Sequence, residues 1–302
     1  MKNFTSLLAE EFKIKLLLSF LFILLFSFTA QAQNEFSTFE FEKDIDYKII
    51  LVDGSEFIGR FLEKDSSTLT ISTTSLPKVE IPFSKIKSVT VIDSSSLKKD
   101  GSYWFPNPHS TRYFFSPSGL NLKKGEGYYQ NTYLLFNSVN YGLTDNISLG
   151  GGLEFISTFT GQPIYYVTPK VGFDINEKLN LGAGVLVLGV AGEGSLGITY
   201  GIATYGSRDD NLTAGLGWGF VDGDFSNKPI ITLSGMKRLK RKFSIVSENW
   251  FVPIDDSYEG LFGYGMRIFS EKLAVDIGLL NNAAISDELV LGVPYIDLVV
   301  KF

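Results

Sequence analysis

The chain reads as all-β: a transmembrane antiparallel β-barrel of about twelve strands, preceded by a small five-stranded β-module. Three observations predict this. There are 30 glycines, 26 Phe and 14 Tyr but no cysteine and one histidine, a mix that suits pleated sheets and disfavours thiol chemistry. From Tyr103 onward, segments of strand length alternate apolar with small or polar residues, without a helical period. The last stretch, Pro294 to Phe302, puts Ile296, Leu298, Val300 and Phe302 on one face and Tyr295, Asp297, Val299 and Lys301 on the other.

At the amino end, Lys13 and Lys15 precede an apolar run from Leu16 to Phe28, and Thr29-Ala-Gln-Ala-Gln33 follows with an Ala-x-Ala pattern. A run this short falls below the roughly 20 residues of a comfortable membrane helix. Residues 1–32 are therefore expected to be a secretory signal peptide cut after Ala32. Without cysteine the mature terminus has no thiol to lipidate. The removed segment carries Lys2, Lys13 and Lys15 against Glu10 and Glu11, a net of +1, so the mature charge moves from −6 to −7. So acidic a chain offers nucleic acid no broad attraction.

Residues 33–93 are expected to be a small periplasmic module. Phe36, Phe39 and Phe41 alternate through an acidic opening. Short alternating strands follow at Tyr47–Val52, Phe57–Leu62, Leu69–Thr73, Val79–Phe83 and Ile86–Ile92, separated by turn residues such as Asp53-Gly54 and Lys64–Ser67. An apolar strand, Asp-Gly, a second strand carrying Gly59 and then Ile86-x-x-Val89 resemble the SH3-like and Sm-like small barrels. Some relatives of that shape bind RNA; a secreted acidic chain favours a spacer or a docking element for a periplasmic protein partner, through residues 46–93. Ser94 to Ser102 is polar, and residues 94–108 are expected to be a linker.

Residues 109–302 carry the predicted barrel, with strands near 110–117, 127–142, 146–157, 163–174, 178–190, 194–206, 211–221, 229–237, 242–252, 258–269, 272–281 and 290–302. Most have the length a tilted membrane strand needs, and an even count returns the carboxyl terminus to its starting side. In Leu212–Phe220, Leu212, Ala214, Leu216, Trp218 and Phe220 oppose Thr213, Gly215, Gly217 and Gly219. Aromatics near strand ends, such as Tyr165, Phe173, Trp218, Phe220 and Phe251, suit an interfacial girdle. Tight turns at 144–146, 175–178, 207–210, 237–242 and 270–272 would lie on the periplasmic side. The connections 157–162, 222–228, 253–257 and 281–288 would lie outside, with 191–194 a tight exception. The first rim is basic (Lys237, Arg238, Lys240, Arg241, Lys242) and the second acidic (Asp222, Asp224, Asp255, Asp256, Asp287, Glu288).

Chemical motifs are sparse. His109 has only Ser110 near it in sequence, and neighbours point opposite ways in an extended chain, so a loop or rim histidine is expected rather than a catalytic base. One histidine without cysteine gives no recognisable metal-ligand set, and Asp222, Asp224, Asp255 and Asp256 lack the loop of a dedicated calcium site. Gly150–Gly152 lies within a strand, which excludes a phosphate cradle. No cofactor is expected. If the greasy faces meet lipid, Glu154, Lys170, Glu259, Arg267, Asp276, Asp297 and Lys301 point into the lumen. There they must pair or meet water. Pairing across the lumen would plug it, whereas the many inward glycines would leave room for water, so a narrow pore and a plugged barrel both remain open.

The phrase Asn140-Tyr-Gly-Leu-Thr-Asp-Asn-Ile-Ser-Leu-Gly-Gly-Gly152 resembles the hairpin of uncharacterised outer-membrane barrels of Gram-negative bacteria, particularly the Bacteroidota. The terminal strand, with Ile296, Leu298, Val300 and Phe302, resembles the carboxyl-terminal signal read by the barrel-assembly machinery of those membranes. The resemblance implies an outer-membrane location, lipid and that machinery as partners, and no enzymatic activity. It implies either a narrow channel for small polar solutes or a structural or assembly component docked through its periplasmic module. The alternatives are an outer-membrane enzyme such as a lipid hydrolase, with His109 as the one available base, and a soluble secreted β-sandwich.

Overall fold

The computed structural model describes residues 36, 38–93, 96–98 and 102–302, and the signal peptide expected at 1–32 lies outside them. The chain divides into two compact units, Met1–Trp104 and Phe105–Phe302. The division falls inside the stretch expected to be a linker.

In the first unit, β1 (Asp46–Leu51), β2 (Glu56–Lys64), β3 (Thr68–Ser72), β4 (Val79–Pro82) and β5 (Ile86–Ile92) form one antiparallel sheet, ordered β4-β3-β2-β1-β5. Gly54, at φ +88°, takes the left-handed position of the β1–β2 turn that a side chain would resist. Tyr47, Ile49, Phe61, Leu69, Ile71, Ile81 and Ile86 form the core, and Phe39 and Phe41 pack against it, with Phe41 stacked on Phe61. The alternating aromatics of the acidic opening therefore cover this core.

The second unit is a closed antiparallel barrel. Its strands are β6 (Gly127–Thr132), β7 (Phe136–Gly142), β8 (Ile147–Glu154), β9 (Ile164–Asp174), β10 (Leu179–Val190), β11 (Ser195–Gly206), β12 (Asp210–Val221), β14 (Ile230–Lys240), β15 (Phe243–Ile254), β16 (Ser257–Phe269), β17 (Leu273–Asn281) and β18 (Val293–Lys301). A two-residue strand, β13 (Asp224–Phe225), folds back on β12. The ring is continuous because β11 pairs with β12 and β18 pairs with β6. It is one closed sheet, not the two packed sheets of a sandwich.

Twelve strands are present, but not the twelve positions expected. Residues 110–117 form no strand, and 127–142 is two, β6 and β7, joined at Tyr133-Leu134. Both residues adopt left-handed backbone, φ 55° and 63°. This turn carries neither the glycine nor the asparagine that ordinarily marks one, so nothing in its sequence separates the strands.

The turns at 143–146, 175–178, 207–209, 241–242 and 270–272 share one end of the barrel with the start of β6 and the end of β18. The opposite end bears the longer connections, two of which hold short helices, α1 (Ser157–Thr160) and α2 (Ala283–Glu288). Its connections at 133–135, 191–194 and 255–256 are also tight, so the difference between the ends is smaller than expected.

Alternation sorts the wall. On β12 Leu212, Leu216 and Trp218 are exposed outward while Thr213, Gly215 and Gly217 are buried inward. On β17 and β18 Leu273, Ile277, Ile296 and Val300 face out, and Ala274, Asp276, Tyr295, Asp297 and Val299 face in. Apolar residues outside and ions inside invert the pattern of a water-soluble sheet.

Candidate functional site

The lumen is occupied by the chain itself. Residues 105–122, which precede β6, enter at the short-turn end, double back and leave by the same end. Asn107 Nδ2 donates to the Arg208 carbonyl (3.1 Å), and Arg238 Nη1 donates to the Phe105 carbonyl (2.9 Å). On the returning limb Asn121 Nδ2 donates to the carbonyls of Asn146 (2.7 Å) and Gly172 (3.2 Å). Between these limbs the segment pairs with itself, Tyr113 N to Ser116 O and Ser118 N to Thr111 O, around a tip at Phe114-Phe115. His109, Phe114 and Ser118 are fully buried.

A hairpin this short, shielded from water, cannot satisfy its own backbone, and the wall supplies the missing partners. Glu248, midway along β15, accepts from the amides of Phe114 (2.9 Å), Phe115 (3.0 Å) and Ser116 (2.9 Å) and from Trp250 Nε1 (2.7 Å). Arg267, on β16, donates to the carbonyls of His109, Arg112 and Tyr113. It also forms a two-pronged pair with Asp276, Nε to Oδ1 at 2.6 Å and Nη2 to Oδ2 at 2.7 Å. One buried anion gathers the tip's donors and one buried cation its acceptors; charge-assisted bonds of this kind are the stronger class. Tyr113 Oη meets Thr213 Oγ1 at 2.6 Å, Gly119 N donates to Thr204 Oγ1 at 2.7 Å, and Tyr295 Oη donates to the Phe114 carbonyl at 3.0 Å.

The inward glycines make room for this hairpin rather than for water. A Cβ at Gly278 would meet the Phe114 ring at 2.9 Å, one at Gly263 would meet it at 3.0 Å, and one at Gly172 would meet the Asn121 side chain at 2.8 Å. Others accept neighbouring rings, as Gly152 does for Tyr166 and Gly184 for Tyr200.

Of the residues expected in the lumen, Glu154, Lys170, Arg267, Asp276 and Asp297 are buried inside the barrel wall and Lys301 is half-buried, while Glu259 shares their alternation but is exposed near the start of β16. Glu154 accepts from the amides of Ile156 and Ser157 and so caps α1. Lys301 pairs with Glu126 at 2.7 Å at the short-turn mouth. Asp276 and Asp297 are cross-strand partners on one face. Arg267 neutralises the first, and Gln130 Nε2 donates to the second at 2.7 Å. Ile296, Val300 and Phe302 are exposed on the outward face, and Leu298 is half-buried there.

Three residues were not anticipated in their roles. Glu248 falls in phase with Ser244 and Val246, an isolated acid on an inward face, which is the one signal that could have found it. Arg112 lay within an expected strand. Arg238, expected on the basic rim, is buried, stacked between Phe105 and Phe269, and paired with Asp209 at 2.9 Å.

His109 lies in a loop, but that loop is inside the barrel and not at its rim. Its ring is fully buried against Tyr128, 5.4 Å between centroids, because the segment that carries it turns into the lumen. Neither ring nitrogen has a hydrogen-bond partner, so no serine is poised beside it, and Ser110 Oγ accepts from Arg208 instead. Among the described residues, His109, Asp276 and Asp297 are the group whose ligand atoms lie within 4.8 Å of one another. Both Asp276 oxygens are committed to Arg267, whose charge would oppose a cation, so these residues do not fit a metal. Asp222 and Asp255 sit in turns with left-handed backbone, Asp222 accepting from Ser195 N and the Asp255 carbonyl from Lys228.

No family model and no curated protein matches the chain. Among solved structures it is similar to the KdgM porin in complex with disordered oligogalacturonate, at 9% identity and a TM-score of 0.44 over 59% of this chain and 98% of that one. It is similar to the NanC porin at 10% and 0.38, over 58% and 96%. It is similar to a loop-deletion mutant of OmpT, an outer membrane protein of Vibrio cholerae, at 12% and 0.30, over 85% and 96%. At such values nothing about ligand or activity passes from these proteins to this chain.

Proposed function

We propose that this is a non-enzymatic outer-membrane β-barrel, shut at rest by its own 105–122 hairpin and carrying a five-stranded SH3-like module in the periplasm as a docking element. The observation that carries this reading is the inverted wall: apolar side chains exposed around the outside, and an interior closed by a segment tied to Glu248 and Arg267. Bacterial origin of the Bacteroidota type, export by the amino-terminal signal and assembly through Ile296, Leu298, Val300 and Phe302 belong to the same proposal.

Planar-bilayer recording tests it. The intact protein is expected to hold the membrane silent, and a variant with 105–122 replaced by an unstructured Gly-Ser segment is expected to pass flickering current. A steady conductance from the intact protein would instead make it an open narrow channel for small polar solutes. Release from membranes by buffer without detergent would remove the membrane reading altogether.

A further inference from the structure

The hairpin does not fill the lumen evenly. On the side of β7 to β11 it leaves a chamber of about 40 Å³, lined by Arg112 of the hairpin and by Lys170, Asn140, Ser148, Thr168 and Tyr200 of the wall. The adjoining chamber, about 50 Å³, is lined by Leu186, Ile198, Ile202, Ile230 and Trp250. Phe115, Pro117, Leu186 and Tyr200 border both. The first chamber sets the basic side chains of Arg112 and Lys170 among polar and apolar neighbours; the second is almost wholly apolar.

The two cations are poorly matched by the protein. Lys170 Nζ donates to a neutral acceptor, the Leu120 carbonyl, at 2.5 Å. Arg112 Nη1 donates to another, Gln130 Oε1, at 2.9 Å. Among the described residues neither has a carboxylate within ion-pair distance, whereas Arg267 and Arg238 in the same interior each have an aspartate. Asp297 reaches Arg112 only across Gln130, and Lys170 has no anion beside it, so two buried basic side chains lack a direct carboxylate partner, which an anion from outside would supply.

We propose that the paired chambers form one site for a short-chain carboxylate. Its head would sit with Arg112 and Lys170, and its tail against Phe115, Leu186, Ile198 and Trp250. At roughly 10–15 Å³ per water-sized group, the polar chamber takes about three such groups and the apolar one about four, which suits an acid of about four to six carbons. The hydroxyl and amide side chains of Asn140, Ser148 and Thr168 supply further donors to the carboxylate oxygens.

The test uses the full chain folded in non-ionic detergent and titrated with sodium hexanoate, followed by calorimetry and by tryptophan fluorescence, since Trp250 lines the tail chamber. Saturable binding is expected, with hexanol and hexylammonium giving none at the same concentration. Lys170→Gln keeps a donor for the Leu120 carbonyl but removes the charge, and is expected to weaken hexanoate by about tenfold or more. Leu186→Trp fills the apolar chamber and is expected to weaken hexanoate more than acetate. Unheated gel mobility reports whether each variant is folded, and Arg112→Gln carries the charge test if Lys170→Gln is not. Absence of saturable hexanoate binding, an equal response to hexanol, or full affinity in the charge variant overturns the site. Conductance plays no part in this measurement, so its outcome is separate from that of the closed-barrel reading.

Discussion

The two units of the chain use the same two-residue alternation in opposite senses. In the five-stranded sheet Ile49, Leu69 and Ile71 are fully buried, and charged residues such as Glu63, Glu80 and Lys78 ring the outside. In the barrel Arg267, Asp276 and Glu248 are equally buried, and leucines, isoleucines and valines are exposed. Period alone therefore identifies strands but not their surroundings. Which residues are hidden tells what solvent each sheet was built to face, water for one and hydrocarbon for the other.

The largest test of that inversion is inside the barrel. Arg267→Met leaves Asp276 an unpaired buried carboxylate and strips the hairpin carbonyls of their donor, and should cost about 3–5 kcal/mol in urea unfolding from detergent. Adding Asp276→Leu should restore much of it; equal losses in the single and double variants would show that the interior is wet enough to solvate the charge. Next comes the outer face. Ile277→Arg, midway along β17, should cost about 2–4 kcal/mol in a bilayer. The comparable exposed position in the small sheet, Val91→Lys, should stay within about 0.5 kcal/mol. Similar values at both sites would erase the distinction between the units. Between those two values, Ile71→Val in the apolar core should cost about 0.5–1.5 kcal/mol and leave barrel unfolding unchanged.

The smallest effect concerns Asp65, exposed in the β2–β3 turn, whose carboxyl accepts from Thr68 Oγ1 (2.6 Å) and from the amides of Ser67 and Thr68. The Thr68 hydroxyl bond and these amides hold its pKa well below the usual carboxylate range. A depressed folded-state pKa gives stability that is present above the unfolded value near 4 and is lost as pH falls through the folded one. Acid unfolding of the small unit should begin at higher pH in the wild type than in Asp65→Asn, measured relative to each protein's own neutral-pH stability, because the variant has no such linkage to lose. Identical acid limbs would remove the turn's contribution.

Much of this fold is legible in the sequence, because faces follow from local alternation: β5 at 86–92, and the sides taken by Asp276 and Asp297, need only neighbouring residues to be read. The hairpin is different. Thr111-Arg-Tyr-Phe-Phe115 has the composition of a strand, yet its amides and carbonyls are met by side chains at positions 248 and 267, more than a hundred residues away. No local pattern records such a partnership. The Tyr133-Leu134 turn escapes for the opposite reason: it is local, but Tyr133 packs edge-on against Tyr295, 5.5 Å between ring centroids, and an aromatic stands where a turn would ordinarily announce itself. The carboxylate site was half visible in Lys170 and hidden in Arg112, which became a lining residue only once its segment turned inward.

The anchoring of the hairpin also constrains how the molecule can come into being. Were β18 to zip against β6 around an empty bore, Glu248 would keep only Trp250 and Arg267 only Asp276 of the partners they hold in the filled one. Because the segment that answers them runs directly into β6, one side of that seam, the guest is on hand when its room is built. Sealing the seam and stuffing the interior then become one event, and a chain that loses the guest must close around under-bonded ions or stay ajar.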